Sequence, residues 1–177
     1  MGKYSDFERR PLDKYLTPKK CLTPLLGWLP YGAKFYEPCA HDGNLVRHLL
    51  DANMGFVCTG ASDIAPADDS VQKKDALDLT PADLNGADFI ITNPPWDRKL
   101  LHPMISHFSA LRPTWLLFDA DWMHNVSAGE LMAKCAQIVS VGRVKWVEGS
   151  KYTSKENCCW YQFVDYPTVT EFVGRRG

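Results

Sequence analysis

Asn93-Pro94-Pro95-Trp96 places a carboxamide, two rigid rings and a flat indole at four consecutive positions. The stretch follows an apolar run, Ala87-Asp88-Phe89-Ile90-Ile91-Thr92, that reads as a buried strand. A polar loop therefore stands at a strand's C-terminal end, the edge of an open α/β sheet where ligands bind. Pro94 and Pro95 fix their own φ, and Pro94 restricts Asn93 to an extended backbone, so the loop holds one geometry. It offers the Asn93 carboxamide oxygen and the Pro94 carbonyl as acceptors beside the face of Trp96, a set that suits a planar group bearing an amino function. An aromatic exocyclic amine is a poor nucleophile because its lone pair is delocalised into the ring. Two acceptors on its N–H groups favour a pyramidal nitrogen and aim its lone pair in line at an electrophile, and the same dipoles stabilise the positive charge that develops. No strong general base is required before such an attack, so the absence of a His or Glu beside the loop is no objection.

A second constellation lies upstream. Phe35-Tyr36-Glu37-Pro38-Cys39-Ala40-His41-Asp42-Gly43-Asn44-Leu45 reads as a strand ending in Glu-Pro, a turn of small residues and a helix start, with Gly43 able to take the positive φ or close backbone approach such a turn needs. Asp63 follows at the end of the next strand, about 20 residues beyond the glycine turn, where an acidic residue holds ribose hydroxyls in dinucleotide folds. Asp75 ends a third short strand, with Asp78 as a competing neighbour.

These two motifs resemble the catalytic and first motifs of the amino-group DNA methyltransferases, which use S-adenosylmethionine, and in particular the small, often phage-encoded adenine-N6 enzymes. Most members carry Gly where His41 stands, although some adenine-specific members have Ala-His-Gly-like turns. The resemblance runs from about Tyr15 to about Asp165. It implies a class I methyltransferase fold: a Rossmann-like α/β domain with a seven-stranded, mainly parallel sheet, an antiparallel final strand and helices on both faces. It also implies a cofactor site. Tyr15, Thr17 and Pro18 would close over the methionine end, Glu37, Pro38, Cys39, His41 and Gly43 would line the first turn, and Asn93 would border the methyl group. Asp63 with Ile64 would hold the ribose, and Asp75 with Ala76 would hold the adenine. Asn93, Pro94, Pro95 and Trp96 form the implied catalytic set, Trp96 stacking on a base flipped out of the duplex or already single-stranded.

Target contacts are expected from Trp96, Arg98, Lys99, Asp121, Trp122, Lys151, Tyr152 and Lys155. The loop Gly149 to Asn157, with its lysines, hydroxyls and Tyr152, resembles the loop before the final strand in these small enzymes; phosphate and base contact and a solvated hairpin are both open readings. Asp119-Ala120-Asp121-Trp122 reads either as part of the target pocket or as a structural turn. The implied activity is methyl transfer from S-adenosylmethionine to the N6 amino group of adenine in DNA. The same loop occurs in enzymes that methylate RNA bases or a protein glutamine amide, and a non-catalytic binding module is a further reading.

Other chemistry-bearing residues carry weaker signals. Pro38-Cys39 has the look of a cytosine-ring nucleophile but lies in the first motif, not after the fourth strand. His102 and His107 sit on a helix where surface or packing roles are expected, and no metal site is anticipated. Cys158-Cys159-Trp160-Tyr161, Trp115 and Trp146 read as core.

The elements that must position these groups alternate strand and helix, the pattern of a parallel sheet covered on both faces. A helix is expected over Lys20 to Leu29, and strands over Lys34 to Cys39, Phe56 to Asp63, Val71 to Ala76, Ala87 to Thr92 and Thr114 to Ala120. Helices follow from Leu45, from Pro81, from Leu100 to Ala110, and from the capping-box spacing of Ser127 and Glu130 to about Lys134. Ile138 to Glu148 and Asn157 to Asp165 close the pattern as an antiparallel pair. At 177 residues and 45% hydrophobic, the chain is expected to form one catalytic domain behind a polar leader at residues 1–13, without a separate recognition domain. A net charge of −1 gives no overall basic footprint, so nucleic-acid contact must come from local patches. Six cysteines without CxxC spacing read as free thiols, and with no apolar leader or membrane span the expectation is a cytoplasmic protein.

Overall fold

The computed structural model describes residues 16–146 and 153–175. Tyr15, Lys151 and Tyr152 lie outside the described residues.

Thr114–Asp119 (β5) explains the architecture best. Trp115 and Leu117 enter one apolar layer while Leu116 and Phe118 enter the other, so the strand is buried on both faces as a central strand must be. The same alternation sends Phe35 and Ile91 into the first layer and Tyr36 and Ile90 into the second. The remaining strands are Lys34–Glu37 (β1), Val57–Asp63 (β2), Gln72–Lys73 (β3), Phe89–Thr92 (β4), Cys135–Arg143 (β6), Asn157–Phe163 (β7) and Glu171–Val173 (β8). They form one sheet in the order β3-β2-β1-β4-β5-β7-β6-β8. The reversal of order beside β1 and β4 is a topological switch point, and it falls between the two motifs.

β7 pairs antiparallel with both β5 and β6, and all other pairs are parallel. The anticipated mainly parallel sheet with its antiparallel strand is therefore present, and β8 adds an eighth strand. It escapes sequence patterning because it is three residues long with two of them exposed. Its tie is local: Thr170 Oγ1 donates to the Cys135 carbonyl at 2.7 Å.

One face is covered by Thr23–Leu26 (α1) and Asn44–Leu50 (α2), which bury Leu25, Leu45 and Leu49. The other is covered by Arg98–Leu111 (α3), whose Leu101, Met104, Ile105 and Phe108 recur at helical spacing. The Asp97 side chain caps α3 by accepting from the Lys99 amide at 3.0 Å, so the helix begins directly after the Asn93–Trp96 loop.

Several expected helices are shorter or missing. Lys20 to Leu29 resolves into a 3-10 turn, Lys19–Cys21, and the four residues of α1, because Pro24 suits only a helix start and Gly27 ends it. The Pro81 segment forms a turn. Ser127 does not cap: it lies inside a 3-10 turn, Val126–Ala128, that runs into Gly129–Met132 (α4) without a side-chain cap. Among the described residues no helix is long and apolar enough to cross a membrane.

Candidate active site

Both motifs meet at the C-terminal edge of β1, β2 and β4. After β1 the chain turns sharply, with His41 at φ 48° and Gly43 at φ 74°. A Cβ on Gly43 would stand 3.4 Å from Arg47 Nη1 in a left-handed conformation that side chains rarely adopt, which is why glycine holds the position. Asp63, 9% exposed, fastens this turn to the one after β2: one carboxylate oxygen accepts from the His41 amide at 2.9 Å, the other from the Ala65 amide at 2.8 Å. Ala40 N–H to the Ser62 carbonyl and Ala67 N–H to the His41 carbonyl, both 2.9 Å, complete the lacing. Each Asp63 oxygen keeps further lone-pair capacity beyond these bonds.

Thr17, 4% exposed, is the hub between the motifs. Its carbonyl accepts from Asn44 Nδ2 at 2.9 Å, and its hydroxyl lies 3.2 Å from Asn93 Nδ2. The segment is held in place because Trp160 Nε1 on β7 donates to the Cys21 carbonyl at 2.7 Å and the Cys21 amide donates to the Pro18 carbonyl at 2.9 Å. Asn93 Oδ1 accepts from Trp96 Nε1 at 3.2 Å, and Trp96 meets Trp146 edge-on with centroids 5.6 Å apart. Trp96 also touches both core layers, and Pro94 is buried beneath the loop.

The carboxyl of Glu37, 2% exposed, sits under this edge with Oε2 lacking a hydrogen-bond partner. Burial pushes its pKa well above the ordinary value, the nearby Asp63 and Asp42 carboxylates push the same way, and the Val46 amide opposes them. His41 Nδ1 is likewise buried without a partner. Burial, and after it the Asp63 and Glu37 carboxylates, also raise the Cys39 thiol, an environment opposite to that of an activated nucleophile. All six cysteines are free.

Toward the rim, Ile64 is 55% exposed although apolar, and the Asp75 side chain accepts from the Leu77 amide at 2.9 Å beside buried Ala76. Arg98 Nη2 donates to Asn125 Oδ1 at 2.8 Å, while Lys99, Asp121 and Lys155 are exposed. Trp122 is a correction to the sequence reading. Expected at the target pocket, it is 2% exposed, meets Phe118, Tyr161 and Phe163 edge-on, and donates its indole N–H to His102 Nε2 at 3.0 Å. It is a core residue, because the short turn after β5 folds back over the sheet and carries it inward. Asn44 and Trp146 belong to the site and were not anticipated there. Asn44 had a signal, since it stands directly after the glycine turn at the first position of α2.

No protein-family model matches this sequence, and a search of curated proteins finds no match. Solved structures do match. A "putative RNA methyltransferase" from Pyrococcus horikoshii superposes with a TM-score of 0.56 at 15% identity, covering 93% of each chain. A type I restriction-modification system methyltransferase subunit from Streptococcus thermophilus superposes with a TM-score of 0.58 at 11% identity, covering 92% of this chain and 49% of that one, so the chain spans about half its length. These likenesses establish a class I, Rossmann-like methyltransferase fold.

Proposed function

We propose that this protein transfers a methyl group from S-adenosylmethionine to the N6 amino group of adenine in DNA. The observation that carries the proposal is the setting of Asn93: its carboxamide stands at the end of β4, at the switch point, oriented from one side by Thr17 and from the other by Trp96. The residues at the edge fit the cofactor. Glu37 supplies a buried acceptor without a partner in the protein, Asp63 has lone pairs left for ribose hydroxyls, and exposed Ile64 offers an apolar wall to an adenine ring. When bound, the cofactor supplies an electrophilic methyl group. The chain's own contribution is placement: Asn93 Oδ1 and the Pro94 carbonyl accept the two N–H groups of the target amine, and the Trp96 ring supports the base plane. Displacing the Trp96 N–H, or sharing the second lone pair of Asn93 Oδ1, admits the amine without moving the backbone.

Adenine in RNA is the second reading, favoured by the match over 93% of both chains to the Pyrococcus protein. Mass spectrometry of nucleosides from DNA and RNA incubated with protein and labelled cofactor separates the two. Labelled N6-methyldeoxyadenosine that disappears with Asn93→Ala supports the proposal, label in RNA adenine alone moves the assignment to the second reading, and label in neither overturns both.

A further inference from the structure

A groove of about 600 Å³ opens between α1, the C-terminal end of β6 and the C-terminal end of β8. Since β7 is antiparallel to both β5 and β6, and β8 is parallel to β6, these ends lie at the same sheet edge as the candidate active site. Lys20, Arg143 and Arg175 line the groove, with no Asp or Glu among the described lining residues, in a chain whose net charge is −1. Half-buried Trp28 stands on the α1 wall, and Thr23 and Ser140 add hydroxyls. The cationic lining depends on a local distortion. β6 shifts register between Ser140 and Gly142, Gly142 has φ 85°, and a Cβ there would stand 3.0 Å from Arg175 Nη1. The missing side chain lets the Arg175 guanidinium lie against the strand and reach the groove.

The groove is joined to the candidate active site at two points. Lys20 is three residues beyond Thr17, whose hydroxyl meets Asn93, and Val144 on the groove wall is two residues before Trp146, which packs on Trp96.

Building on the nucleic-acid methylation reading above, we infer that this groove holds the phosphodiester backbone of a single-stranded stretch of the substrate next to the target base. Three cations lining one groove offer partners to the phosphates of one strand, and half-buried Trp28 in its wall offers an indole on which an unpaired base can stack. The patch supplies locally the positive charge that the composition lacks overall.

The test is fluorescence anisotropy of a labelled single-stranded oligonucleotide over a salt series, with cofactor binding followed by calorimetry. The Arg143→Glu/Arg175→Glu protein is expected to bind cofactor as the wild type does, to bind the strand at least about tenfold more weakly, and to have a log–log salt slope smaller by roughly 1.4, the value for two phosphate contacts on a single strand. A charge-matched pair at the strand-start end of the sheet, Lys34→Glu/Lys134→Glu, at the first residue of β1 and directly before β6, is expected to leave the strand affinity within about twofold. If the double Glu variant does not fold, Arg143→Gln/Arg175→Gln is expected to reproduce the slope change. Unchanged affinity and slope in folded groove variants, or equal weakening by the Lys34/Lys134 pair, overturns the groove while leaving the methylation reading intact. A wild-type protein that methylates a protein amide and binds no oligonucleotide overturns both.

Discussion

The indole N–H of Trp96 donates to the side-chain oxygen of Asn93 at 3.2 Å, so the aromatic and the amide of the Asn93–Trp96 loop orient each other. Because an indole can only donate, this contact also fixes which end of the Asn93 carboxamide is oxygen, and the nitrogen is left to face the Thr17 hydroxyl. The Asn93 carboxamide, the proposed acceptor for a substrate amine, is thus held by two neighbours. Preorganisation of this kind removes reorganisation from the reaction step. Asn93→Ala is expected to lower methyl transfer by at least about a hundredfold, the scale of losing one preorganised dipole, with cofactor affinity unchanged by calorimetry. Trp96→Phe keeps an aromatic face but removes the pyrrole half of the indole together with its N–H. It should lower kcat by a smaller factor, about fivefold for the loss of one orienting hydrogen bond of roughly 1 kcal/mol, and near-wild-type kcat would show that Thr17 alone positions Asn93.

Asp63 has two tasks that substitution can separate. Its carboxylate holds the His41 and Ala65 amides, and in the proposed reading it also accepts from the ribose hydroxyls of the cofactor. Asp63→Ala should weaken cofactor binding by about 1.5–3 kcal/mol, as for loss of a charge-assisted contact, and should also lower the melting temperature because two turn amides lose their acceptor. Asp63→Asn retains one acceptor oxygen, so its melting temperature should fall between wild type and Asp63→Ala. A cofactor dissociation constant that both variants leave unchanged would remove Asp63 from the site.

Glu37 gives a prediction in pH. Burial raises its folded pKa above the ordinary 4.5, so the native state holds the proton more tightly than the unfolded chain. Its contribution to stability is full below about pH 4.5 and is lost as pH rises through the folded value. Glu37→Gln cannot ionise and escapes that loss. Thermal melts from pH 4 to pH 8 should therefore show the variant gaining on wild type as pH rises, while cofactor affinity falls because the acceptor pattern of a carboxylate is gone. Parallel pH profiles for the two proteins would mean that Glu37 is ionised equally in both states.

Sheet and site were unequally legible in the sequence. β5 could be read because a strand buried on both faces carries an unbroken apolar run, here Trp115 to Phe118, and Asn93 because the two prolines after it admit few backbones. The glycine turn and Asp63 could be read from their spacing, and the structure brings them within one hydrogen bond of each other. The helices were overestimated because apolar residues at helical spacing also serve 3-10 turns that tertiary packing shortens, as at Lys19–Cys21. Trp122 was misplaced because an aromatic in a loop after a strand looks the same whether the loop opens to solvent or folds onto the sheet. The basic groove had no local signal at all: Lys20, Arg143 and Arg175 are brought together only by the register of β6 with β8 and the packing of α1.

The misplaced tryptophan supports a last prediction. Trp122 donates its indole N–H to His102 Nε2 at 3.0 Å, which requires a neutral imidazole with its proton on Nδ1. Burial, and then the charge of Arg98, holds the His102 pKa below its ordinary 6.5. A histidine with a depressed folded pKa contributes stability that is present above about pH 6.5 and is lost as pH falls through the folded value, because the native state must then accept a proton it disfavours. Protonation also deletes the only acceptor that Nε2 offers and strands a buried indole N–H, a loss of about 1–3 kcal/mol. His102→Gln can present an amide oxygen that does not titrate. Its melting temperature should match wild type within a few degrees at pH 8 and should fall less steeply between pH 6.5 and pH 5, whereas His102→Ala should be less stable at pH 8 and share the flattened acid limb. Thermal melts of the three proteins at half-unit pH steps decide it, and an acid limb in His102→Gln as steep as that of wild type would place the titrating group elsewhere.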